Sequence, residues 1–116
     1  MSSKTNKIID VESLSKEIAT WVEQDKANPG AWNMFTLVTL KKLQSDYDIT
    51  MQYFSQITKE QFDFVIEAIE DVVYHFQRIE MVELVEKLYC DFYGENKNTD
   101  FYRDNIEGLY NCIRSK

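Results

Sequence analysis

Residues 59 to 76 constrain the fold more tightly than any other stretch. Phe62, Val65, Ile66, Ile69, Val72, Val73 and Phe76 recur at the spacing that places them on one face of a helix. Glu60, Asp63, Glu67, Asp71 and Tyr74 fall on the opposite face. An apolar stripe this long must be buried against other elements, and no alternating apolar run elsewhere offers a strand to receive it. Its neighbours must therefore be helices.

The rest of the chain supplies them. Val11, Leu14, Ile18 and Val22, with Trp21 beside them, repeat at helical spacing from Asp10 to Lys26, and Asn28-Pro29-Gly30 ends that segment. Trp32, Phe35, Leu37, Leu40 and Leu43 predict a second helix to Gln44. Ser45 to Asp48 reads as a turn, with Asp48 capping a short helix that carries Met51, Phe54 and Ile57. Thr58-Lys59-Glu60-Gln61 fits a capping box for the long amphipathic helix.

The apolar phase changes after Phe76. Extending the first stripe would bring Glu80, Glu83 and Lys87 into the core, whereas Met81, Leu84, Val85, Leu88 and Phe92 form a new stripe rotated by roughly 100°. Either the helix breaks between Gln77 and Glu80, or it continues and presents different faces to different neighbours. Gly94 ends it, 95–99 is a polar loop, and Tyr102, Ile106, Leu109, Tyr110 and Ile113 mark a last helix weakened by Gly108. The expected fold class is all-α, an irregular bundle or short stack of α-hairpins with five or six helices. A flexible terminus over 1–9 precedes a single helical domain over 10–116. At 116 residues and 44% hydrophobic composition, such a domain can bury a core without disulfides or metals.

Charge narrows the function. Residues 1 to 58 hold seven acidic residues against six Lys or Arg, and residues 59 to 116 hold thirteen against seven. The acidic second half repels nucleic acid and anionic lipid, whose binding needs clustered cations. Neither a direct nucleic-acid partner nor a membrane is expected. The longest apolar runs are far shorter than the roughly 20 residues needed to span a bilayer. Cys90 and Cys112 lack metal or redox spacing and no secretory leader begins the chain, so the expected compartment is the cytoplasm.

No residue set identifies a reaction. His75 is the sole histidine and has Asp71 one turn before it, too few ligands for an ordinary metal site. Three glycines provide no phosphate-binding loop. The chain is therefore expected to be no enzyme and to need no cofactor. Its acidic face is the better candidate. Such a face is ordinarily solvated surface, but Phe64 lies at its edge and Tyr74 within it. Glu80, Glu83 and Glu86, accompanied by Tyr93, follow on the next segment, with Asp100, Tyr102 and Asp104 beyond. Rings among carboxylates suit protein recognition, because the rings bury area and the acids pair with a partner's Lys and Arg.

A small, acidic, all-helical chain of this kind resembles the immunity proteins that bacteria make against their own nuclease toxins, including those of contact-dependent inhibition systems. The likeness is one of overall character across the whole chain, carried by the Asp63, Phe64, Glu67, Asp71, Tyr74 face and the Glu80, Glu83, Glu86 group, with no diagnostic motif. It implies an acidic surface that covers the basic cleft of a toxin domain, imitates phosphate charge and excludes substrate. Two readings stand beside it: a helical adaptor or regulatory subunit that binds a non-toxin partner by apolar contacts, and a metal-assisted enzyme using His75 with Asp71. A homodimer, paired through Phe64 or the stripe around 79–93, is a further option.

Overall fold

In the computed structural model, which describes residues 10–95 and 99–113, Asp10 takes an extended backbone and its carboxylate accepts from the Ser13 N–H at 2.8 Å. That caps α1, Val11–Ala27. Asn28 closes it, and its side chain accepts from the Gly30 N–H at 3.0 Å, which turns the chain into α2, Ala31–Leu43. The cap of α3, Tyr47–Ser55, is Asp46, whose carboxylate accepts from the Ile49 N–H at 3.0 Å. The expected cap, Asp48, lies inside the first turn instead; Asp46 is the residue with extended backbone, and an N-cap needs that conformation. The fold is all-α, with six helices and no strand among the described residues. The chain divides into two compact units, Met1–Gln61 and Phe62–Lys116.

In the first unit α1 packs on α2 and α3. Leu14, Ile18 and Val22 are buried, as are Ala31, Phe35, Thr39 and Leu43 of α2. The buried positions of α2 recur every fourth residue, which leaves Leu37 on the far side, 63% exposed. Leu37 thus does not join the core as its spacing had suggested. A polar chain seals this packing: the Trp21 Nε1–H donates to Thr39 Oγ1 at 2.7 Å, Thr39 donates to Glu17, and Lys42 Nζ donates to Glu17 Oε1 at 2.8 Å. Desolvation alone would raise the Glu17 carboxyl, but the bonds from Lys42 and Thr39 bring it below the usual carboxylate range.

Helix α4, Lys59–Phe76, begins at Thr58, whose hydroxyl accepts from the Gln61 N–H at 3.2 Å. The second half of the expected capping box is replaced: Gln61 Oε1 accepts from the buried Tyr53 hydroxyl at 2.6 Å. All seven residues of the apolar stripe are inside except Phe76, which is half-buried.

The helix breaks after Phe76. Gln77 sits at φ 57, the left-handed region, and its N–H donates to the Val73 carbonyl at 2.8 Å, a helix stop usually made by glycine. Arg78 is extended and caps α5, Ile79–Tyr93. The turn folds α5 back along α4, so that Phe62 at the start of one meets Phe92 and Tyr93 at the end of the other, at ring separations of 5.4 and 6.3 Å. Of the rotated stripe Met81, Val85 and Leu88 are buried and Leu84 and Phe92 half-buried, while Val82 and Tyr89, which the stripe left out, are buried beside them. Gly94, at φ 92, ends α5.

The last helix, α6, covers 100–112: an α turn Asp100–Tyr102 capped by Thr99, a π turn Arg103–Glu107, and an α turn Gly108–Cys112. It packs on α5. Ile113 follows it in extended backbone and is not part of it. The expectations for 1–9, and for 96–98 of the polar loop, fall outside the described residues. No helix of the described residues is long and apolar enough to cross a membrane.

Candidate protein-binding surface

The outer face of α4 carries the residues singled out in the sequence. Asp63, Glu67 and Asp71 are exposed, Tyr74 is 51% exposed, and Phe64 is half-buried at the edge. Glu70 is exposed too and joins them: at 100° per residue Asp63, Glu67, Glu70 and Tyr74 span only about 60° of the helix circumference. The sequence reading left Glu70 out, although its place three residues after Glu67 is signal enough.

The second acidic group divides. Glu80 and Glu83 are exposed on α5, but cations stand among them. Arg78 Nε lies 3.4 Å from Glu80, and Lys87, one turn beyond Glu83, pairs with Asp91 at 3.0 Å. A hydrogen bond from its own backbone, together with Arg78, holds the Glu80 carboxyl below the ordinary range. Glu86 is half-buried and engaged within its unit: Oε2 accepts from the Tyr102 hydroxyl at 2.7 Å and Oε1 from the Tyr110 hydroxyl at 2.5 Å. Burial first, and then the bond to an anionic acceptor, pushes both phenols up to about 12. Tyr102 is buried and Tyr93 half-buried in a ring cluster with Tyr89 and Phe62, so Tyr74 alone of the three tyrosines considered presents its ring outward.

A cleft of about 270 Å³ opens between α4 and α6. Ile66 and Leu109, both buried, form its floor, and Glu67, Glu70, Asp104 and Asn105 line it together with Gly108. Among the described residues none of these three carboxylates has a cationic partner; Glu70 receives only the weak bond of the Cys112 thiol, at 3.6 Å. Burial and the Glu70 carboxylate raise that thiol above its ordinary value. Cys90 and Cys112 are both free thiols.

His75 is exposed and meets the Phe76 ring edge-on at 4.8 Å. Among the described residues no group of three or more His, Cys, Asp or Glu side chains is disposed to hold a metal ion. Three exposed apolar residues lie together on α2, Met34, Leu37 and Val38 at 49%, 63% and 42%, while Ile79 is exposed at the start of α5. The sequence offered no choice of face there, because α2 is apolar on most sides.

No family model, characterised protein or solved structure matches this chain.

Proposed function

We propose that this chain is a non-enzymatic inhibitor, an immunity-type protein that neutralises a basic, nuclease-like toxin domain through the outer face of α4. The observation that carries the reading is the concentration of carboxylates Asp63, Glu67, Glu70 and Asp71 around the exposed ring of Tyr74 on one rigid helix. Such a face gives a basic partner a complementary field for encounter, worth roughly 10- to 1000-fold in association rate, and an aromatic anchor for affinity. It also competes with phosphate for the same cations, so a partner that cleaves nucleic acid would lose its substrate on binding.

The test is affinity purification of the tagged chain from its native cells across a salt gradient, alongside a Glu67→Lys, Asp71→Lys variant. A stoichiometric basic protein, released as the screening length shrinks from about 10 Å at 0.1 M to about 3 Å at 1 M and lost in the variant, supports the reading. A partner held equally at both salt concentrations and by both proteins refutes it.

The α2 patch favours a second reading, an adaptor that binds by apolar contact. Leu37→Ser with Val38→Ser would abolish capture under that reading and leave it unchanged under the first.

A further inference from the structure

We infer that Gln77 is a positioning residue for the outer face of α4: through its side-chain amide, the end of α6 holds the turn that presents Tyr74. The role rests on the inhibitor reading, in which the Tyr74 ring is the anchor.

Tyr74 stands in the last turn of α4, Lys59–Phe76. The last four carbonyls of a helix have no donor within it, and a turn left so frays. An anchor on a frayed turn has more freedom to lose when it binds, which weakens affinity. Gln77 supplies the missing donors. Its N–H donates to the Val73 carbonyl at 2.8 Å, and its side-chain Nε2 donates to the Tyr74 carbonyl at 2.9 Å. A primary amide carries two hydrogens. The second goes to the carbonyl of Cys112, the last residue of α6, at 2.8 Å, so one amide joins the C-terminal ends of two helices. The Cys112 thiol adds a weaker bond to Glu70, one turn before Tyr74, at 3.6 Å. Gln77 and Cys112 are half-buried whereas Tyr74 is 51% exposed, which leaves the ring as the contact and the amide as its support.

The experiment uses the full chain, isotopically labelled, with tetra-arginine amide as the probe, because a guanidinium group binds over a tyrosine ring. Gln77→Met keeps the length of the side chain and removes both side-chain donors. It should speed hydrogen exchange at the amides of 75–77 roughly tenfold, the factor that lost bonds of ordinary strength imply. Gln77→Lys returns a donor and should restore most of the protection. An unchanged exchange rate in Gln77→Met overturns the proposal.

A double-mutant cycle followed by NMR titration distinguishes positioning from a general loss of stability. Tyr74→Ala should weaken tetra-arginine binding roughly threefold, the contribution of an exposed cation–π contact. Gln77→Met should weaken it roughly twofold when Tyr74 is present and not at all in Tyr74→Ala, since the amide acts through the ring. The same loss in both backgrounds, or no loss in either, overturns the proposal and leaves the inhibitor reading standing. Tyr74→Ala binding as tightly as the wild-type chain would remove the anchor and overturn the inhibitor reading together with the proposal.

Discussion

Gln77 offers the sharpest test of the fold, because two opposed terms meet in one side chain. Its backbone stands at φ 57, where a residue with a Cβ is disfavoured by about 1 kcal/mol or more. Against that, its side-chain amide Nε2 donates to the Tyr74 carbonyl at 2.9 Å and to the Cys112 carbonyl at 2.8 Å, tying the end of α4 to the end of α6. Each such bond contributes about 1 kcal/mol net. Gln77→Ala removes both bonds and keeps the strain, so it should cost about 2 kcal/mol. Gln77→Gly removes the same bonds but relieves the strain, so it should cost about 1 kcal/mol. The difference between the two variants isolates the backbone term and cancels the side-chain one. For a chain of 116 residues it corresponds to about 4 °C in melting temperature. Urea denaturation followed by circular dichroism, with thermal melts in parallel, would resolve it. Glycine no better than alanine would mean that residue 77 is not left-handed and that α4 runs on into α5.

Three further outcomes follow from the geometry. Tyr102 and Tyr110 stay protonated up to about pH 12, whereas an unfolded tyrosine ionises near its ordinary 10.0. Their contribution to stability is therefore whole below pH 10 and is lost as pH rises through 12; Glu86→Leu should bring the late phase of a tyrosine absorbance titration forward and cost about 2 kcal/mol by leaving both hydroxyls without their acceptor. Thr39→Val should destabilise by about 1–2 kcal/mol in urea, since it strands the Trp21 N–H and withdraws a donor from Glu17, while Thr39→Ser should restore most of the loss; equal values for Val and Ser would contradict the bond. Gly108→Ala should raise stability by about 1 kcal/mol, because its backbone is already helical and the added methyl enters open space.

The parts of the fold that were legible in the sequence are those written in period. The stripe from Phe62 to Phe76 fixed α4, and the phase slip after Phe76 narrowed the architecture to two alternatives. Periodicity could not choose between them, because the deciding feature is a left-handed glutamine, and nothing in its residue type announces that conformation. In α2 the signal was ambiguous: apolar residues on several sides let Leu37 pass for core, whereas the buried position is Thr39, whose hydroxyl is needed by Trp21 and Glu17. On the acidic face, helix spacing placed Asp63, Glu67, Asp71 and Tyr74 outward. Glu86 fell on the same pattern by spacing, yet two tyrosines of α6 draw it inward, a long-range contact that no local window contains. The cleft was hidden for the same reason, since α4 and α6 contribute its walls from distant parts of the chain.

The π turn of α6 settles a question of register. Tyr102 and Tyr110 are eight residues apart, which in an unbroken α-helix would turn them about 80° away from each other. A turn widened to hold one extra residue returns them to within about 20°, and both hydroxyls reach the single carboxylate of Glu86. A chain one residue shorter between them would achieve the same alignment as plain α-helix. The surplus residue is thus not required to hold α6 on α5. The turn that takes it up, Arg103–Glu107, contains Asp104 and Asn105 of the cleft wall. Length variation at this turn should therefore reshape the cleft while leaving the tyrosine pair in place.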